Sequence, residues 1–195
     1  MKLMEEKILR EGQILPGDIL KVGSFLNQNI DIDFLGDMAN EFARLFAHEG
    51  VTKVLTIEAS GIAIATAVGM KLGASVLFAK KHRTSNVDGQ PYSAPVHSFT
   101  HNEDYEVLVS RDYLSSTDRV LIVDDFLANG QAVNGLFSLC EQAGAQVVGV
   151  GIAIEKCFSG AGDKLRAQGV HLESLAMIES MSEDNIVFRR EDNSR

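Results

Sequence analysis

The stretch Val120-Leu-Ile-Val-Asp-Asp-Phe-Leu-Ala-Asn-Gly-Gln-Ala132 constrains the fold more than any other. Four β-favouring apolar residues run into two adjacent acids, Asp124 and Asp125. A short loop of small and polar residues follows, with Gly130 inside it. Helical periodicity then begins, with Val133, Leu136, Phe137, Cys140 and Ala143 on one face. Strand, acidic corner, glycine-containing loop and helix N-terminus together predict a phosphate-binding site at the carboxyl end of a strand in an α/β protein.

A second unit of the same plan lies upstream. Val54-Leu-Thr-Ile reads as a buried strand that ends at Glu58-Ala-Ser-Gly. A helix of small residues through Met70 follows and closes at Gly73, and Ser75–Ala79 is the next strand. Strands alternating with helices predict a mostly parallel sheet with right-handed crossovers. Both special loops then sit on one edge of that sheet, where one ligand could touch both.

The rest of the chain is read around these units. Residues 1–24 are mixed, with a turn at Pro16-Gly17-Asp18, and Ile14–Asn29 is read as a short irregular element. Leu35, Met38, Phe42, Leu45 and Phe46 predict a helix from Ile32 to His48, capped by Asp31 or Asp33 and ended by Gly50. Residues 84–104 show no apolar period, which predicts a lid or a structureless loop in which His97 and His101 are ordinary residues. Further strands are expected at Glu106–Ser110, Gln146–Ile154 and Leu172–Ile178, with a helix at Asp163–Gln168. The polar end, Arg189–Arg195, is expected to fray.

The 195 residues suit one domain with a real core. A net charge of -9 and the absence of a Lys/Arg stripe argue against nucleic-acid binding. No apolar run approaches membrane length, and the charged N-terminus lacks a signal-peptide core, so no membrane association and a cytoplasmic location are expected. Cys140 reads as core, and with Cys157 makes no disulfide framework.

Val120–Ala132 resembles the phosphoribosyl-pyrophosphate (PRPP) signature of type I phosphoribosyltransferases. The resemblance covers the chain up to about residue 180 and is strongest to the branch acting on xanthine. Supporting it are Leu20–Asn27, Glu58-Ala-Ser-Gly, Lys80-Lys81, the 84–104 segment and Lys156. Asn129, Gln131 and Ala132 replace the commoner Thr, Gly and Thr, a form associated with the xanthine branch.

The resemblance implies an α/β type I phosphoribosyltransferase fold in a single domain, 1–195. A hood from about 1–30 plus 156–185 would cover the base, and 84–104 would be the lid. The implied enzyme is a pentosyltransferase of purine salvage, transferring phosphoribose from PRPP to xanthine with Mg²⁺ bound alongside PRPP and no metal site of its own. It would be a homodimer. Adenine or hypoxanthine/guanine transferases, and a non-catalytic PRPP-binding regulator, are the alternatives.

Ala128, Asn129, Gly130, Gln131 and Ala132 would cradle the 5′-phosphate, while Asp124 and Asp125 would meet ribose hydroxyls or water on Mg²⁺. Ala59, Ser60 and Gly61 would offer amides to pyrophosphate through an unusual peptide geometry, with charge from Lys81, alone or with Lys80. Lys156, Asn27 and the backbone near Leu20 would hold the base, with Phe126 or Phe158 stacking on it.

Overall fold

In the computed structural model, which describes residues 1–81, 90–98, 103–183 and 185–190, the chain order is as follows. Helix α1 (Lys2–Glu11) leads to a small hairpin, β1 (Gln13–Leu15) and β2 (Ile19–Lys21), and then a π-helical turn at Gly23–Asn27. Then come α2 (Ile32–Leu45), β3 (Lys53–Ile57), α3 (Ser60–Leu72) and β4 (Ser75–Ala79). A hairpin of β5 (Tyr92–Ser98) and β6 (Glu103–Val109) precedes β7 (Arg119–Leu127), α4 (Gln131–Ala143) and β8 (Gln146–Lys156). A 3₁₀ turn (Cys157–Ser159), α5 (Ala161–Ala167), β9 (Leu172–Ser182) and β10 (Asn185–Phe188) follow.

The six-stranded sheet has the order β10-β9-β8-β7-β3-β4. All neighbours are parallel except β10, which runs antiparallel to β9. From β3 the chain proceeds outward to β4, whereas from β7 it proceeds the other way to β8 and β9. The adjacent pair β3 and β7 is therefore the point where strand order reverses, and such a point opens a crevice at the carboxyl ends of the strands.

Each face of the sheet carries an apolar layer. On one, α1, the π-helical turn, α2 and α3 bury Met4, Ile8, Phe25, Met38, Phe42 and Ile64 against Val54, Leu121, Val123 and Ala153. On the other, α4 and the β5–β6 hairpin bury Leu136, Leu139, Ala94, Val96 and Val107 against Leu55, Ile122, Val150 and Ile152. In Val148-Gly-Val-Gly-Ile152 the two glycines face the first layer, and Val150 and Ile152 face the second. A Cβ on Gly149 would stand 2.5 Å from Phe46 Cε1, and one on Gly151 2.9 Å from Phe42 Cε1. Bare backbone there lets two phenylalanines of the α2 segment reach the sheet.

Several expectations need correction. The 84–104 segment is not structureless where it is described: Tyr92–Ser98 is a strand paired antiparallel with β6. Ala94 and Val96 are buried while the intervening Pro95 is exposed, an alternation too brief to stand out among polar neighbours. Residues 84–89 and 99–102, including His101, lie outside the described residues, as do His82 and Arg83. The hairpin joins the sheet through reciprocal backbone bonds of 2.9 Å between Lys80 and Leu108. Helix α1 occupies part of the stretch read as mixed, docking with Met4 and Ile8. Asp31 is the cap of α2: its Oδ1 accepts from the Phe34 N–H at 3.1 Å, while its Oδ2 accepts from Lys7 Nζ at 2.5 Å. The helix ends at Leu45, short of Gly50. Arg189 does not fray, since its guanidinium bonds Asp163 and Glu179; residues 191–195 lie outside the described part. Cys140 is core, as expected.

Phe42 is fully buried beneath the sheet. Phe42→Ala is expected to lower unfolding free energy by about 3–5 kcal/mol in urea titrations, through lost transfer energy and an unfilled cavity.

Candidate active site

Strand β7 runs past both acids to Leu127, pairing Asp124 with Ile152, Phe126 with Ile154 and Leu127 with Glu155. The expected acidic corner is thus still strand, and the two carboxylates stay close enough to interact directly. Asp124 is 3 % exposed, whereas Asp125 is half-buried. The Asp125 N–H donates to Asp124 Oδ1 at 3.0 Å, and the Phe126 N–H to Asp125 Oδ1 at 3.0 Å. Burial, and after it the adjacent Asp125 charge, push the Asp124 carboxyl well above its usual range; Lys81 draws it partly back.

The loop after β3 comes up beside these acids. The Glu58–Ala59 peptide is cis, an unusual geometry of the kind the resemblance implies there. Ala59 is exposed, Ser60 opens α3, and Gly61 is buried. A Cβ on Gly61 would lie 2.0 Å from Thr56 Oγ1 and 3.2 Å from Asp124 Oδ1. Only glycine lets the first turn of α3 close onto β3 and β7 in this way. Thr56 Oγ1 is buried there without a hydrogen-bond partner among the described residues. Glu58 Oε1 accepts from the Lys81 N–H at 2.6 Å, tying the loop to the end of β4. The Lys81 ammonium lies 5.3 Å from the centroid of Tyr105.

The loop after β7 reaches Gly130, whose φ of +76° turns the chain into α4. Its carbonyl accepts from the Asn134 N–H at 2.9 Å in the first helical turn. Ala128 through Ala132 line a cleft of about 640 Å³. Across from them stand Phe126, Lys156, Phe158 and Ser159, and the rim is completed by the Gly17-Asp18-Ile19 turn and by Val96, His97 and Tyr105 of the hairpin. Lys156 Nζ donates to the Asp18 carbonyl at 2.7 Å and sits 5.6 Å from the Phe126 centroid. Burial lowers its pKa, against a smaller upward pull from Asp18.

Ala128–Ala132 and Lys156 are therefore brought into one cleft, with Asp124 and Asp125 on β7 beside it and Lys81 in the bend after β4. Leu20 and Asn27 do not line it. Leu20 is core, and both border a separate hollow of about 590 Å³ with Glu11, Gln13 and Ser24. The rim residues Asp18, His97 and Tyr105 were not singled out from sequence as site residues, because their placement depends on how two hairpins pack. His97 borders the cleft, with Nδ1 2.7 Å from Asp104 Oδ1. Among the described residues no group of three or more His, Cys, Asp or Glu could hold a metal ion.

The phosphoribosyl transferase domain profile matches residues 29–187. The chain belongs to the phosphoribosyltransferase family. It is 50% identical over 188 residues to the xanthine phosphoribosyltransferases of Bacillus thuringiensis (strain Al Hakam) and Bacillus cereus (strain 03BB102), covering 96% of this chain and 95% of each relative. Among solved structures it resembles adenine phosphoribosyltransferase from Giardia lamblia in complex with 9-deazaadenine, with a TM-score of 0.75 at 19% identity over 88% of this chain and 96% of that one. The enzyme from Rhodothermus marinus DSM 4252 gives 0.72 at 20% identity over 90% and 98%. These structures share the α/β fold expected from the sequence.

A carboxyl whose folded pKa is raised, as at Asp124, contributes stability that is fully present below its unfolded pKa and lost as pH rises through the folded value. Asp124→Asn is expected to melt higher than the wild type at about pH 8, with the difference closing toward about pH 4. Scanning calorimetry across that range checks it; a lower melting point at the alkaline end would contradict the assignment.

Proposed function

We propose that the protein transfers the 5-phosphoribosyl group of PRPP to xanthine, forming xanthosine 5′-monophosphate and pyrophosphate. The near-full-length identity to proteins bearing that name carries this reading. The cleft supports it, since a helix N-terminus and a lysine donor face one space large enough for a phosphorylated sugar and a base.

In this reading the amides of Ala128–Ala132 and the start of α4 bind the 5′-phosphate. Asn129 and Gln131 present exposed side chains at its mouth. Asp124 and Asp125 accept from the ribose hydroxyls, Asp125 being the more accessible. The Ala59–Gly61 turn and Lys81 receive the pyrophosphate. The base enters between Phe126 and Phe158, and Lys156 exchanges the Asp18 carbonyl for a carbonyl of xanthine. A purine ring nitrogen forms its bond to the anomeric carbon as the bond to pyrophosphate oxygen breaks, and the ring N–H proton is released. Holding both reactants in line supplies much of the rate, and the β5–β6 hairpin, as part of a lid over 84–104, limits access of water.

The donor set suits Mg²⁺ in one way only. Two adjacent carboxylates without a protein cage match an ion that keeps its waters and is carried largely by substrate phosphates. Bound with PRPP, it would supply positive charge to the leaving group. The hood is read as 1–30 plus 156–185, with Asn27 and Leu20 in it; because they border a separate hollow, their contact with the base in this reading requires the hood to move. No helix among the described residues is long and apolar enough to cross a membrane; a cytoplasmic homodimer is part of the proposed reading.

Pyrophosphate release with PRPP, Mg²⁺ and each purine in turn tests the substrate. Xanthine is expected to give the highest kcat/KM; faster turnover of guanine, hypoxanthine or adenine would overturn the choice of base. Binding of PRPP without turnover of any base would favour a regulator.

Lys156→Ala should raise the xanthine KM by roughly tenfold to a hundredfold, the value of one hydrogen bond to a charged group, with little change in the PRPP KM. Equal rises in both would remove Lys156 from the base site.

A further inference from the structure

A second buried carboxylate lies next to the cleft and has no part in the chemistry above. Glu155 is fully buried on β8, between Leu127 and Met177 of the flanking strands. Alternation directs it to the face opposite Lys156. There Arg166 of α5 grips it with two parallel bonds, Nη1 to Oε1 at 2.9 Å and Nη2 to Oε2 at 2.7 Å. Ser174 Oγ donates to Oε2 as well. The fit is close, since a Cβ on Gly162 would lie 1.9 Å from Glu155 Oε1.

The fork closes the loop that begins at Lys156. Lys156, Phe158 and Ser159 line the cleft, and Ala161 lies against the phosphate-loop glycine, its Cβ 3.2 Å from where one on Gly130 would stand. One ionic contact thus holds a wall shared by both halves of the site. Burying such a pair adds little net stability compared with apolar packing. A planar, two-bond fork does fix orientation as well as distance, which apolar packing of a seven-residue helix does not.

We propose that the Glu155–Arg166 fork is a positioning device: it sets the Cys157–Ala161 wall so that Lys156 and Phe158 meet the base while Gly130 keeps its place against the phosphate. This rests on the proposed transferase reading, and one readout of the test is independent of that reading.

The test compares wild type, Arg166→Lys, and the double variant Glu155→Gln/Arg166→Met, which strands no charge. Both variants are expected to melt within a few degrees of wild type. The base KM should rise about tenfold in the double variant, with a PRPP KM rise of about threefold and kcat within about twofold. Arg166→Lys, which keeps the charge but loses the fork, should share the rise in base KM. A folded double variant with both KM values within about twofold of wild type would overturn the proposal, as would full rescue by lysine. Hydrogen exchange read by mass spectrometry requires no base: amides of 157–162 should exchange faster in the double variant while β7 and β8 are unchanged. Unchanged exchange at 157–162 would sink the device whatever base the enzyme uses, whereas failure of wild type on xanthine alone would sink only the substrate assignment.

Discussion

The site depends on the parallel pairing of β3 with β7, in which Val54 faces Leu121 and Leu55 faces Ile122. Neighbouring parallel strands bring their carboxyl ends, and the loops that follow, to one edge. Because the chain leaves these two strands in opposite directions, no crossover helix covers the gap between them. The pairing survives because both strands are apolar on both faces, with Leu55 and Ile122 buried on one side and Val54 and Leu121 on the other. The Gly61 turn after β3 and the Gly130 turn after β7 both hang from that four-sided burial.

Glycine at two positions converts the pairing into a pocket. At Gly61 the absence of a side chain lets the start of α3 descend onto Thr56 and Asp124. At Gly130 a positive φ aims the first amides of α4 toward the cleft. The first is a close approach and the second a conformation, and neither follows from hydrophobic patterning.

Sequence patterning made the sheet legible for a physical reason. β3, β7 and β8 are apolar runs buried on two faces, β4 is a short apolar run at the sheet edge, and α2 and α4 are long enough for their stripes to repeat. Helix α1 escaped because only Met4 and Ile8, with the stem of Lys7, mark its buried face. Strand β5 escaped because Pro95 interrupts its two buried residues. At the cleft, the lining by Ala128–Ala132 and Lys156 was legible because strand ends announce themselves. The Asp18, His97 and Tyr105 rim was not, because it is assembled from hairpins whose docking is tertiary. The Leu20 side chain is core, which leaves its backbone for the role that the resemblance implies.

Asp124 and Glu155, two buried carboxylates on adjacent strands, show how the same cost is met in opposite ways. Glu155 is answered on the spot by an arginine fork and a serine hydroxyl, so its charge is satisfied before any ligand arrives. Asp124 accepts from the neighbouring Asp125 N–H, feels Lys81 at a distance, and keeps a raised affinity for a proton. A carboxylate left in that condition works against folding, and such groups concentrate where a ligand later completes them. The contrast separates a carboxylate that a ligand could complete from one that the fold has already satisfied. It also explains why the less satisfied of the two lies at the strand-order reversal and the other one strand away, behind Lys156.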